Sequence, residues 1–155
     1  MKTKLSAAYL SLSPRAVHRL FQVALTGLWG WFAFKFFLAE GKPATLVASA
    51  LCLLTGVVAA ILVFLSDLSF IAHAPERDID EYQLQQRNRA YLATLRYGSG
   101  ALAIAWFART VGGPHTPVTA GVLDNFILVL FLTMLIAPAG FLATRLLADE
   151  KPSGD

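Results

Sequence analysis

The sequence predicts an all-α protein: a four-helix antiparallel transmembrane bundle whose third helix extends into the cytoplasm. Of 155 residues, 56% are hydrophobic and 15% are charged, whereas a soluble domain usually carries about 25% charged residues. The apolar residues form four blocks, each close to the roughly 20 residues that cross a hydrocarbon core. One long polar stretch, residues 78–96, separates the first two blocks from the last two. We therefore expect one integral membrane domain, residues 1–155.

The first span is expected over residues 17–38. Ser13 and Pro14 precede it as a helix start, because serine accepts a free backbone N–H and proline has no N–H to leave unpaired. Gly41 and Pro43 follow as a helix end. A cleaved signal peptide is the alternative. We reject it because the preceding segment is long and the apolar block exceeds the usual stretch of about 7–15 residues.

The second span is expected over residues 44–65. Small residues recur along it at steps of three and four, which places them on one face where a neighbouring backbone can approach closely. They are Ser49, Cys52, Gly56, Ala59 and Ala60. Cys52 is the only cysteine, so it can form neither an intrachain disulfide nor a metal site alone. The short turn that follows the first span makes the first two helices antiparallel neighbours.

The third span is expected over residues 90–109, as the membrane part of one helix that begins in the polar stretch, which we call the stem. Asp78 and Glu81 fit a capping box, in which each side chain binds the backbone N–H of the other. Three arginines follow near the expected membrane surface: Arg87, Arg89 and Arg96. A solvated helix face explains this pattern, and a cytoplasmic docking surface is the functional alternative.

The fourth span is expected over residues 122–147, after a loop rich in glycine and proline. It carries a second series of small residues: Thr133, Ala137, Gly140 and Thr144. Pro138 lies inside the span and removes one backbone hydrogen bond, so a kink is expected there.

The positions of lysine and arginine predict that both termini are cytoplasmic. Ten of the 13 basic residues fall on one side: Lys2, Lys4, Arg15, Arg19, Arg77, Arg87, Arg89, Arg96, Arg145 and Lys151. The other side has Lys35, Lys42 and Arg109. A formal charge of +3 favours contact with an anionic lipid surface over binding to nucleic acid.

The stem has the pattern Asp-x-Asp-Glu followed by Arg-x-Arg-Ala-Tyr and a membrane helix. This pattern resembles that of uncharacterised small bacterial four-helix integral membrane proteins. The resemblance is confined to the stem. It implies a multi-pass protein of the bacterial cytoplasmic (inner) membrane, and it implies no activity.

Several residues are candidates for binding. His18 and His73 could ligate a haem, although both fall at helix ends rather than opposed within a bundle. Gln22, Lys35 and Asp124 are ionisable or polar groups within the predicted spans, which makes them candidates for transport. Lys35 can also reach the headgroups from its position near a helix end. The aromatic outer half of the first span suggests lipid or partner contact through Trp29, Trp31 and Phe34.

The sequence contains no catalytic signature and requires no cofactor. We expect a non-catalytic accessory or structural subunit of a larger bacterial membrane complex, whose partners are the lipid bilayer and other membrane subunits. The alternative is a small oligomeric transporter or channel. A third hypothesis is a haem- or quinone-binding membrane anchor.

Overall fold

A computed structural model describes residues 9–38, 43–111 and 120–149. The described residues are helical almost throughout and form no β-strand, which confirms the predicted all-α class. The α-helices are α1 (Pro14–Ala33), α2 (Pro43–Phe64), α3 (Asp67–His73), α4 (Glu81–Val111) and α5 (Ala120–Asp149). A π-helical turn, Phe34–Leu38, continues α1, and a 3-10 turn, Glu76–Asp78, precedes α4. The predicted outer turn and outer loop fall largely on residues 39–42 and 112–119, outside the described ranges.

The start of α1 is as predicted. The Ser13 hydroxyl accepts a hydrogen bond from the backbone N–H of Ala16 at 3.3 Å, and Pro14 is the first helical residue. From Glu81 onward, the stem also forms one continuous helix with the segment that follows it, because α4 runs without interruption from Glu81 to Val111.

The predicted capping box of Asp78 and Glu81 is wrong by two residues. Asp78 lies inside the 3-10 turn, where its N–H bonds to the carbonyl of Pro75 at 3.0 Å. The cap of α4 is Asp80, whose carboxylate accepts the N–H of Gln83 at 2.7 Å. The Gln83 side chain accepts the N–H of Asp80 at 3.4 Å, which completes the box. Because Asp78 belongs to the turn that begins at Pro75, α4 starts at the second capping pattern, Asp80 with Gln83, rather than at the predicted one.

The long helices alternate in direction. The N–H of Leu10 bonds to the carbonyl of Leu65 at 2.8 Å, so the start of α1 and the end of α2 lie together. The last turns of α5 contact His18 at the start of α1 and Tyr82 at the start of α4. We call this common end of the helices the stem end, and the opposite end the far end. α5 packs against all the other helices, whereas α4 packs mainly against α5 and less extensively against α3.

The closest packing joins α1 to α2. A Cβ atom on Gly27 would lie 2.6 Å from the Cα of Gly56, and a Cβ on Gly56 would lie 2.8 Å from the backbone nitrogen of Leu28. Neither position has room for a side chain. The ring of Phe21 lies in the same way on Gly140 of α5. Gly56 and Gly140 belong to the small residues predicted to allow close approach in the second and fourth spans, whereas Gly27, in the first span, was not predicted.

Two described helices are long and apolar enough to cross a membrane: Pro43–Phe64 and Gly121–Asp149. This criterion concerns length and composition only, and it is met by two of the four predicted spans. In the most apolar part of α2, 22% of the residues are buried, compared with 56% in α5. Four crossings and the orientation of the termini stay predictions.

Candidate functional site

Three helices are joined by a chain of side-chain hydrogen bonds. Trp29 Nε1 lies 2.7 Å from the hydroxyl of Tyr97, which lies 2.9 Å from the hydroxyl of Thr133. Thr133 is fully buried and donates to the carbonyl of Val129 at 2.9 Å. Because an indole N–H can only donate, the bonds run from Trp29 through Tyr97 to Thr133. Tyr97 is not among the residues predicted from the sequence, although a tyrosine within an apolar helical stretch indicates a hydroxyl that needs a partner.

A second group of polar side chains joins α1 to α5 nearer the stem end. Thr144 donates its hydroxyl hydrogen to the carbonyl of Gly140 at 2.9 Å, so its oxygen accepts from Nδ1 of His18 at 3.0 Å. Nε2 of His18 then accepts from the amide of Gln22 at 3.0 Å. This arrangement fits the neutral imidazole with hydrogen on Nδ1. Both ring nitrogens of His18 are engaged, so a metal or haem would have to displace one of these contacts.

His73 has a separate environment on α3. Its Nδ1 donates to the carbonyl of Ser69 at 2.8 Å, within the same short helix, and the side chain is exposed. No hydrogen bond between the described residues joins His73 to His18. Within the described ranges, no group of three or more His, Cys, Asp or Glu side chains is placed to hold a metal ion.

The predicted polar residues near the far end are exposed. Nζ of Lys35 lies 5.0 Å from the ring centre of Trp31 and 3.5 Å from the side-chain oxygen of Asn125. The first distance is typical of a cation–π contact. Asp124 is exposed on α5 beside Asn125. Neither of the predicted residues is buried between helices.

The aromatic residues of α1 pack mostly against this chain. Trp31 and Phe32 are 9% and 8% exposed. The ring of Phe126 on α5 lies 5.6 Å from that of Trp29 and 6.0 Å from that of Phe32. Phe34 is half-buried in the π-helical turn. A lipid or partner contact of Trp29, Trp31 and Phe34 stays a prediction. Trp31 has little exposed surface with which to make such a contact.

Arg87 attaches the stem to the end of α3. Its guanidinium donates to the carbonyl of Ala74 at 2.6 Å and contacts Glu76 at 3.3 Å. Its side chain is only 11% exposed. One turn along α4, the hydroxyl of Tyr91 donates to the carbonyl of Ala72 at 3.0 Å. A positive charge at a helix C-terminus is stabilising, so Arg87 stabilises the packing of α4 against the end of α3.

The other stem residues with a predicted contact role are exposed, namely Asp78, Glu81, Arg89 and Arg96. Beside them, the stem is fastened to the last residue of α5. The hydroxyl of Tyr82 donates to a carboxylate oxygen of Asp149 at 2.8 Å, and the amide of Gln86 donates to the same oxygen at 3.0 Å. The hydrogen bond to the Asp149 carboxylate raises the pKa of the Tyr82 phenol above its ordinary value of 10.0. The stem therefore packs against α3 and α5 at its base.

Comparison of the chain with protein-family models, curated protein sequences and solved structures gives no match. Function is therefore inferred from the chain's own residues. Among the predicted site residues, the structure brings Gln22 together with His18. It leaves His73, Lys35 and Asp124 in separate surroundings.

Proposed function

We propose that the chain is a four-helix integral membrane protein of the bacterial inner membrane, with both termini cytoplasmic. We propose further that it acts as a non-catalytic accessory or structural subunit of a larger membrane complex. The observation that carries the proposal is the apolar surface of α2. Charged residues are absent from α2, and its surface is formed largely by exposed aliphatic side chains.

The size of this surface argues against water as its surroundings. Seven large apolar side chains of α2 are between 43% and 61% exposed. They are Leu46, Val47, Leu51, Leu54, Val58, Ile61 and Phe64. Because complete burial of one such side chain is worth about 1.5–3 kcal/mol, their exposure to water would cost on the order of 10 kcal/mol. This is comparable to the whole stability of a typical domain, about 5–15 kcal/mol. A lipid environment removes most of the cost.

α4 gives the reason for proposing a subunit of a complex. The span predicted for it, residues 90–109, contains Arg96. The uncharged part, residues 97–108, covers only roughly 18 Å at 1.5 Å per residue, against a hydrocarbon core about 30 Å thick. Extended arginine side chains can reach part of the remaining distance to the headgroups. At the far end, Ile104 and Trp106 are 72% and 68% exposed. A neighbouring membrane subunit would shelter both the short span and these side chains.

The paired polar groups within the chain also support a structural role. Trp29, Tyr97 and Thr133 bind one another, as do His18 and Gln22. A small oligomeric transporter or channel is the second candidate, because the side chain of Gln22 is exposed within the predicted first span. His18 gives no support to the hypothesis of a haem- or quinone-binding anchor, because both of its ring nitrogens already have hydrogen-bond partners.

Membrane crossing by α4 can be tested with single cysteines. In a Cys52→Ala background, Glu81→Cys and Thr110→Cys place a thiol at each end of α4. An impermeant thiol reagent should label Thr110→Cys in intact cells, and it should label Glu81→Cys only in inverted membrane vesicles. Labelling of both positions from the same side would contradict the four-span arrangement.

The subunit role can be tested by purification in a mild detergent. We expect other membrane proteins to migrate with the chain and to be recovered reproducibly with it. A Gln22→Leu variant separates this role from that of a transporter or channel. If the chain is a structural subunit, the variant should still associate with the same proteins. A chain that purifies alone and supports solute flux in liposomes, with flux lost in Gln22→Leu, would instead establish the transporter.

A further inference from the structure

Two exposed arginines from α4 and α5 lie at the same level near the stem end. Tyr82 and Gln86 contact Asp149, which fixes the antiparallel alignment of the two helices. Arg89 is three residues beyond Gln86 on α4, and Arg145 is four residues before Asp149 on α5. Because the two helices are antiparallel, the three residues from Gln86 to Arg89 and the four residues from Asp149 back to Arg145 run in the same direction and cover similar lengths. Arg89 and Arg145 therefore both lie about one turn beyond the Asp149 contact, and both are exposed.

A third arginine comes from α1. Thr144, the neighbour of Arg145, contacts His18, the neighbour of Arg19. This contact brings the start of α1 to the same level of α5. Arg19 is exposed like the other two. Three helices thus each place an exposed arginine at a similar level near the stem end. The Asp149 carboxylate, about one turn away, already accepts hydrogen bonds from Tyr82 and Gln86.

The three arginines also coincide with the predicted membrane boundaries. The first span is predicted to begin at residue 17, the third at residue 90 and the fourth to end at residue 147. Arg19, Arg89 and Arg145 lie within two residues of these limits, at the depth of lipid headgroups. Just inside this level, exposed apolar side chains such as Leu92 and Val23 can contact acyl chains.

We propose that Arg19, Arg89 and Arg145 bind the headgroup phosphate of an anionic phospholipid in the leaflet at the stem end. Guanidinium groups suit this ligand because they donate paired hydrogen bonds to phosphate oxygens and remain charged. The adjacent apolar surface favours a lipid over a free phosphate ion. The inference rests on the proposed membrane insertion, and it adds a headgroup preference that insertion alone does not require.

The test uses the full chain reconstituted in phosphatidylcholine bilayers with spin-labelled lipids. Electron paramagnetic resonance measures the fraction of labelled lipid immobilised by the protein. We expect labelled phosphatidylglycerol to be immobilised in preference to labelled phosphatidylcholine. Replacement of Arg19, Arg89 and Arg145 by glutamine should lower this preference by about fivefold for each arginine removed. Arg109→Gln, which removes one exposed arginine at the far end, is the control and should lower the preference far less than the triple substitution does.

Equal immobilisation of the two lipids by the wild-type chain would overturn the proposal, as would a preference that survives the triple substitution. Loss of the preference on adding inorganic phosphate, but not chloride at equal ionic strength, would also overturn it in favour of a free-anion site. Resistance to extraction by alkaline carbonate is measured on the same samples. Extraction of the wild-type chain would show that the membrane proposal has failed, whereas retention without lipid preference would show that only the lipid site has failed.

Discussion

The α1–α2 hairpin and α4 are attached to the protein in different ways. α1 and α2 meet through glycine backbones at Gly27 and Gly56. α4 buries a series of residues at every fourth position, namely Gln86, Ala90, Thr94 and Gly98. Beyond Gly98, no described side chain of α4 is buried. The large apolar side chains of α2 are mostly exposed, and the face of α2 that contacts α1 is made of small residues. The apolar content of a helix therefore does not decide how closely it packs against its neighbours.

The largest effect is expected where backbones touch. Gly27→Leu should separate α1 from α2, because even its Cβ would lie 2.6 Å from the Cα of Gly56. We expect a loss of about 3 kcal/mol or more in the free energy of unfolding, at the upper end of overpacking costs. Unfolding in mixed micelles, followed by circular dichroism, measures it. Gly100→Leu is the control, since a Cβ on Gly100 has no neighbour within 4 Å. Similar stability of the two variants would contradict the backbone contact.

The next effect concerns the attachment of the stem to α3. Arg87→Ala should lower the free energy of unfolding by about 1.5–3 kcal/mol, the range for hydrogen bonds to charged groups. It leaves the carbonyl of Ala74 without its charged donor. Arg96→Ala, which removes an exposed arginine from the same helix, should change the stability little. An Arg87→Ala protein as stable as Arg96→Ala would show that the stem does not depend on this contact.

A smaller effect is expected at the middle of α4. Tyr97→Phe removes both the acceptor for Trp29 and the donor to Thr133. Because the net contribution of one hydrogen bond to stability is about 0.5–1.5 kcal/mol, a loss of about 1 kcal/mol is expected. The double variant Tyr97→Phe with Thr133→Val should lose no more than the sum of the single changes. A Tyr97→Phe loss as large as that of Gly27→Leu would remove the distinction between the two attachments.

The smallest effect is a pH dependence at the base of the stem. The pKa of Tyr82 is raised in the folded protein by the Asp149 carboxylate. The contact therefore stabilises the fold fully below the ordinary phenol pKa of 10.0, and this contribution is lost as the pH rises through the higher folded-state pKa. Melting temperatures measured on both sides of this value should fall more for the wild type than for Tyr82→Phe. Equal slopes would show that the phenol does not act on stability.

Much of the fold follows from patterns within single segments. Ser13 and Pro14 predict the start of α1 because a helix cap is a local arrangement. The start of α4 is harder, since two overlapping capping patterns exist and the turn after Pro75 selects the second one. The α-helix of the first span also ends earlier than expected, at Ala33, where π-helical geometry begins.

The candidate contacts were less predictable than the helices. The inward position of Arg87 depends on where α3 ends, because the carbonyl of Ala74 is its partner. The pairing of Trp29 with Tyr97 depends on the rotation of α4 relative to α1. Such information is tertiary, and no spacing within one helix contains it. Sequence patterns identified Gln22 and His18 as polar groups, but not their contact with one another.

The hydrogen-bond chain of Trp29, Tyr97 and Thr133 cannot act as a proton wire. Conduction along such a chain requires each member to take up a hydrogen on one side as it releases one on the other. The indole nitrogen of Trp29 has no lone pair with which to accept, and the opposite end of the chain terminates on the backbone carbonyl of Val129. These bonds can therefore connect three helices in the middle of the protein without providing a path along which protons could pass.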